Sequence, residues 1–261
     1  MLAERGNQLL GYRLMNKNFA RYSILSALLF LIGTLSEVNA LPVGRSNLSR
    51  EYLVSPQDLS AWSIGLSAVK LERDVTLKTY GSGLPMKSTK TMGYVGYDVL
   101  PWVTFYAVGG GAQTRIGWFN NSSSGAEYGF GVTLNLIDTE IEDATAFENR
   151  LRLSSHLQFT RGSAGMNGVY GLSEITWDDF SGDLTLSVVN DLEGDKFFVP
   201  NSIALFFGPT FSVLSSTSIE QDKIFGLTAG LDIFLNEKVN LELAYTKFDA
   251  GTYSIGVNVR F

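Results

Sequence analysis

His156 is the single histidine of a 261-residue chain that has no cysteine. A thiol nucleophile, a disulfide and a thiolate metal site are therefore excluded. Imidazole acid–base chemistry, if there is any, must run through His156. Ser154 and Gln158 stand two residues to either side of it. On an extended strand all three would project from one face. A serine beside a histidine can begin a nucleophilic mechanism only when a third group orients the ring. No carboxylate neighbours His156 in sequence, so the spacing fits a polar residue lining an interior better than a reacting one.

Arg150, Arg152, Glu174, Asp232, Glu242 and Arg260 fall on the same polar phase of their segments as His156. Together these seven form the expected interior polar network. Such mixed charges have two uses. They can neutralise one another inside a narrow interior, because a buried charge needs a partner. They can also form a charged constriction that selects ions. Other candidates are weaker. Asp191, Glu193 and Asp195 surround Gly194, but the twelve-residue calcium loop with its closing Glu is missing, which leaves a solvated turn. Gly109, Gly110 and Gly111 lack the Lys-Ser/Thr of a phosphate loop and fit close packing in a strand. Asn120 to Ser123 reads as a loop tip. No metal or cofactor is expected. A formal net charge of −6 argues against a nucleic-acid partner.

The elements that carry these residues alternate with period two almost throughout. Trp62, Ile64, Leu66 and Ala68 alternate with Ser63, Gly65 and Ser67. Val95, Tyr97 and Val99 alternate with Tyr94, Gly96 and Asp98. Tyr128 to Leu136 alternates with glycines, Thr133 and Asn135, and Leu151 to Phe159 with Arg152, Ser154, His156 and Gln158. The same pattern recurs in Ile203–Val213, Phe225–Leu235, Val239–Tyr245 and Tyr253–Phe261. One apolar face against one small or polar face is the mark of a half-exposed strand. Charged residues make up only 18% of the chain, below the roughly 25% usual in soluble domains. Mean hydropathy is +0.09, too low for a bundle of membrane helices.

Ten strands result if Leu172–Asn190 is one long strand bulged at Gly182; eight and twelve are the alternatives. Pro209 sits awkwardly inside a strand, because it removes a ladder donor. Leu100–Trp102 and Asn236–Lys238 read as short turns. Arg73–Lys87, Trp118–Gly125 and Ser215–Asp222 read as longer polar loops, and Asp138–Asn149 as an acidic connection. Short and long connections alternate, as an up-and-down meander requires.

Tyr22–Leu35 is the one apolar run long enough to consider as a membrane helix. It follows Lys17 and Arg21, precedes Ala40 after small residues, and is shorter than the roughly 20 residues that span a bilayer. These are the parts of a secretory signal peptide, with cleavage expected after Ala40 and Met15 as a second possible start to Met1. An uncleaved N-terminal anchor is the alternative. Residues 41–59 then form a periplasmic lead-in, and residues 60–261 form the folded body. Without residues 1–40 the chain keeps 16 basic and 24 acidic groups, net −8.

The face opposite the large apolar side chains is rich in Gly, Ser, Thr, Asn, Arg and Glu, poor material for a dry core. Lys70, Arg161 and Lys247 fall at strand ends, where a cation facing lipid costs least. The last strand alternates Tyr253, Ile255, Val257, Val259 and ends in Phe261. It resembles the C-terminal assembly signal of small bacterial outer-membrane β-barrels. That resemblance implies an all-β, closed, antiparallel up-and-down transmembrane barrel in a bacterial outer membrane. It also implies membrane lipid and the barrel-assembly machinery as partners. Barrel enzymes offer a poorer match: lipid A deacylases carry a serine two residues after their histidine, where Gln158 stands here. Omptin-type proteases need an Asp–His pair, and Asp178–Asp179 is not adjacent to His156. The expectation is a non-enzymatic envelope protein or narrow porin-like channel. A membrane-embedded hydrolase acting on lipid or peptide and a secreted soluble ligand-binding barrel are the alternatives.

Overall fold

The computed structural model describes residues 61–79, 81–117, 123–141, 149–165, 174–191, 202–235 and 238–261. The expected leader and lead-in, Asn120–Ser122, Glu193 and Asp195 lie outside them. The described chain is β-strand and turn. Its strands are β1 (Trp62–Leu77), β2 (Ser82–Leu100), β3 (Val103–Ile116), β4 (Ser123–Ile141), β5 (Asn149–Gly165), β6 (Glu174–Asp191), β7 (Ser202–Ser215), β8 (Ile219–Gln221), β9 (Phe225–Phe234), β10 (Val239–Lys247) and β11 (Gly251–Arg260). All strands but β8 form an antiparallel up-and-down ring of ten, closed by pairing of β1 with β11 from Ser63↔Arg260 to Lys70↔Tyr253. Closure leaves no free edge along the length where β1 and β11 pair, as a strand in hydrocarbon requires.

The ten-strand wall agrees with the sequence reading, but three local expectations need correction. Gly182 is not a bulge: β5 and β6 keep one register through Leu157↔Gly182. Its bare Cα instead admits close neighbours, since a Cβ there would lie 2.7 Å from the His156 carbonyl oxygen. The bulges lie at Asp98/Leu100 and Asn135/Ile137. Arg73–Lys87 is not a loop. β1 runs on to Leu77 and β2 begins at Ser82, joined by a tight turn in which Gly81 takes φ +63°. Ser215–Asp222 holds the extra strand β8.

Pro209 is accommodated at a local cost. The β6–β7 ladder passes from Asp183↔Thr210 to Leu186↔Phe207, omitting Leu184 and Thr185. The Thr210 hydroxyl donates to the Gly182 carbonyl at 2.8 Å beside the gap.

The wall is uneven in height. β1 to β7 have 14 to 19 residues, whereas β9, β10 and β11 have 10, 9 and 10. Around the lower part, the large apolar side chains point outward and stay exposed: Leu66, Phe105, Tyr128, Phe130, Leu205, Phe207, Phe225 and Leu227 are each 54–77% exposed. On β5 this belt runs from Leu151 to Phe159. At about 3.4 Å per residue and a tilt of about 35–45°, it covers roughly 20 Å along the membrane normal, close to the apolar band of such barrels. Trp62 against Tyr97 (4.9 Å between ring centres) and Tyr245 against Tyr253 (4.6 Å) lie at its rims, where amphipathic rings belong. The upper part, a turret built mainly from the long strands, buries its apolar residues inside.

Candidate functional site: the barrel lumen

The lowest tier of the lumen depends in part on the bulge in β4. Asn135 faces inward opposite Ser154, and its side chain accepts from the Ser154 hydroxyl at 3.0 Å. Without the extra residue at Leu136–Ile137, Asp138 would point to lipid. With it, Asp138 turns inward and accepts from Arg152 Nη2 at 2.5 Å and Arg150 Nε at 3.2 Å. Asp98, which faces inward on the unbroken alternation of β2 just above the other bulge, binds Arg260 Nη2 at 2.7 Å and the Thr104 hydroxyl at 2.6 Å. Arg152 and Arg260 are buried, so these are charges removed from water. Each must keep its partner, because an orphaned buried charge costs about 3–5 kcal/mol. Asp232 and Glu242, both buried, stand opposite each other across β9 and β10.

Halfway up, His156 Nδ1 meets Asp183 Oδ1 at 2.7 Å, and both side chains are wholly buried. The sequence reading found no acid beside His156 because Asp183 comes from the next strand, directly opposite in register. His156 Nε2 makes no hydrogen bond within the described residues. The two strand neighbours face other partners: Ser154 bonds to Asn135, and Gln158 accepts from the Tyr106 hydroxyl at 3.2 Å. Gly131 makes room for that ring, since a Cβ would fall 2.3 Å from Tyr106 Cζ. The arrangement orients an imidazole through Asp183, and buried Thr133 stands directly opposite it across β4 and β5.

Higher still, Lys90 Nζ sits 2.8 and 2.6 Å from the two carboxylate oxygens of Glu127, both residues buried. A cavity of about 50 Å³ lies beside this pair. Above it, Leu71, Val75, Leu77, Leu84, Met86, Ile116, Ala164, Ile175, Trp177, Leu214 and Ile219 pack into one apolar cluster filling the turret. Trp177 lies against Gly162, where a Cβ would fall 2.6 Å from the indole.

Of the expected interior network, Arg150, Arg152, His156, Asp232, Glu242 and Arg260 do face the lumen. Glu174 does not. It opens β6 on the outward face and is exposed, while Ile175 and Trp177 beside it point in. The polar phase of the segment reverses along β6, which misplaced it. Sequence reasoning also missed the counter-ions Asp98, Asp138 and Asp183, and the whole Lys90–Glu127 pair. Lys90 shares its phase with Tyr94 and Asp98, so extending the β2 alternation four residues back would have found it. Of the C-terminal set, Tyr253, Ile255, Val257 and Val259 lie on the outward face of the closing strand, with Ile255, Val257 and Phe261 exposed. Among the described residues no group of three His, Asp or Glu is placed to hold a metal ion.

A closed antiparallel ring that is greasy outside over one membrane thickness and polar inside is the architecture of a bacterial outer-membrane β-barrel. No family model matches the sequence, and no curated protein matches it. Among solved structures, the chain is similar to an outer-membrane channel from Pseudomonas putida F1, at 10% identity and TM-score 0.39, covering 87% of this chain and 98% of that one. It is also similar to the β domain of the Bordetella autotransporter BrkA, at 12% identity and TM-score 0.35, covering 77% and 99%. The translocator domain of the autotransporter NalP from Neisseria meningitidis gives 9% identity and TM-score 0.30, covering 82% and 92%. At these distances the likenesses say nothing of what this chain carries or binds.

Proposed function

We propose that this is a non-enzymatic envelope protein whose lumen is sealed along its axis, and not an open porin. The observation that carries this reading is the apolar cluster across the turret, stacked on lumen charges already paired with one another. An ion entering from below would meet fixed pairs, then a dry layer of Trp177, Met86 and Ile219. Crossing hydrocarbon-like packing unhydrated is prohibitive. A hydrolase is disfavoured because the His156–Asp183 pair has no exposure. Lipid at the belt and the assembly machinery at the Phe261 strand are the partners this reading assigns.

Planar-bilayer recording tests it. The purified protein should insert without single-channel steps; steady conductance would sink the sealed-lumen reading and favour the narrow channel. His156→Gln should leave lipid and peptide hydrolysis at the background of the unsubstituted protein.

A further inference from the structure

The turret wall is not of one construction. β11 leaves β1 at Lys70↔Tyr253, and β9 leaves β7 at Phe211↔Phe225. Above the short strands β9–β11, the gap between β1 and β7 is bridged, among the described residues, by residues 216–224, here called the strap. On one side the strap's β8 makes three residue pairs with β1, Leu77↔Ile219 to Val75↔Gln221. On the other side no strand ladder joins it to β7. In place of a ladder, Gln221 Oε1 accepts from the Leu214 N–H at 2.6 Å, and its Nε2 donates to the Ser212 carbonyl at 2.5 Å. The Ser212 N–H donates to the Ile224 carbonyl at 2.9 Å.

Immediately inside lies the 50 Å³ cavity. Its lining includes Arg73, Lys90, Glu127, Asp179, Ser181 and Phe248. Arg73 connects it to the strap. Its guanidinium lies 5.1 Å over the Phe248 ring, and its Nη1 donates to Gln221 Oε1 at 3.4 Å. Phe248 comes from the turn between β10 and β11, at the top of the short wall. Thus a ring, a guanidinium and an amide from three elements fill the opening. These side-chain contacts stand where a strand ladder between the strap and β7 would be, whereas most of the remaining wall is joined by backbone ladders. Segments held by few contacts open at the lowest free-energy cost.

We infer that the strap is the gate of a side window above β9–β11, through which the chamber beside Lys90–Glu127 exchanges small polar solutes with the exterior. The inference rests on the sealed-lumen reading, since an open axis would make a window redundant. The solute class follows from the chamber. At roughly 10–15 Å³ per water, it holds only a few water-sized groups. Its wall offers cations (Arg73, Lys90), carboxylates (Glu127, Asp179) and hydroxyls (Thr160, Ser181, Thr210), which suits compact uncharged or zwitterionic molecules.

The absence of native cysteine allows a direct test. Ser181→Cys places one thiol in the chamber with little change of volume. S-Methyl methanethiosulfonate is a small uncharged probe: the thiolate attacks its sulfenyl sulfur, forming a methyl disulfide and releasing methanesulfinate. Thr76 and Glu220 are direct partners across β1 and β8, so Thr76→Cys with Glu220→Cys can be oxidised to pin the strap. We expect Ser181→Cys to be modified in the folded, lipid-embedded protein, and at least about tenfold more slowly with the strap pinned. Gln221→Ala, which frees the strap from β7, should speed modification. Heat-dependent gel mobility confirms that each variant is folded. Equal rates with and without the pin overturn the inference. If that variant also shows no bilayer conductance, the window fails and the seal stands; if it conducts, the seal has failed and the chamber is reached along the axis. No modification in any variant shows a chamber closed to solutes and likewise overturns it.

Discussion

On β1, Ile64 and Leu66 face outward while Ser63 and Gly65 face inward; a few residues later, Leu71, Val75 and Leu77 face inward while Glu72 and Asp74 face outward. β6 does the same, with Phe180, Leu184 and Val188 outside below and Ile175 and Trp177 inside above. The strand geometry never changes, and the side chains alternate without a break. What changes is the solvent beyond the wall. Opposite hydrocarbon, apolar groups gain nothing by turning inward, and the lumen is left to polar groups that satisfy one another. Opposite water, the same strands must bury their apolar side chains against each other, and the barrel becomes a soluble core standing on a membrane one. Polarity along a single strand therefore records where the bilayer ends.

The largest effect that would break or sharpen this contrast comes from removing bulk on each side of the boundary. Trp177→Ala empties the middle of the turret cluster and should destabilise by about 3–5 kcal/mol, transfer and cavity terms together. Leu205→Ala in the belt leaves no cavity, because lipid flows into the space, and should cost less than about half as much. Urea titrations of the folded fraction in lipid vesicles, read by heat-dependent gel mobility, compare the two directly. Equal losses would mean that both regions are packed against protein, and the contrast would collapse.

Charge placed on the outward face gives the next effect. Phe207→Arg near mid-belt should cost about 2–4 kcal/mol. Thr176→Arg, outward on the turret, should stay within about 0.5 kcal/mol. The same vesicle titration reads both, and a large loss for Thr176→Arg would place that height in hydrocarbon.

This boundary also explains what the sequence did and did not disclose. The belt strands were legible because one phase stayed largely apolar for eight or nine residues, as from Leu151 to Phe159 with Ser155 the exception. The turret was not, because at Val69–Leu71 the apolar phase switched parity, and a reversed alternation looks like its end. Arg73–Lys87 was therefore taken for a loop, and Glu174 for a lumen residue. Yet Leu71, Val75 and Leu77 against Glu72, Asp74 and Thr76 keep the alternation, with Arg73 the one polar residue on the inward phase. Among site residues, Arg152, His156 and Arg260 could be placed by phase alone. Their partners Asp138, Asp183 and Asp98 could not be assigned, since cross-strand register and the bulge at Asn135/Ile137 are set by the assembled ladder. β8 was beyond reach: three residues docked on a strand end have no period to detect.

The smallest effect lies where the turret's water-facing surface meets the strap. Asp74 is held above its ordinary value of 3.8, first by partial burial and then by the negative fields of Asp249, Asp222 and Glu72; Lys223 acts in the opposite sense. Glu72 is itself paired with Lys87. The Asp74 N–H donates to Asp249 Oδ2 at 3.0 Å, and the Thr76 hydroxyl to Asp222 Oδ1 at 3.1 Å, so the carboxylates of β1, the strap and the β10–β11 turn crowd one seam. A carboxyl whose value is raised by docking binds its proton more tightly docked than free. Strap docking therefore strengthens as pH falls from neutral toward the ordinary carboxylate range, and weakens as pH rises through the raised value. Asp74→Asn mimics the protonated form at constant pH. It should slow tryptic cleavage after Lys223 at pH 7.5 about two- to threefold, and high salt should shrink the difference, because these charges are largely solvated. Faster cleavage of Asp74→Asn would show that this carboxylate holds the strap in place. The belt has no counterpart to this effect, since hydrocarbon tolerates no such cluster of outward carboxylates.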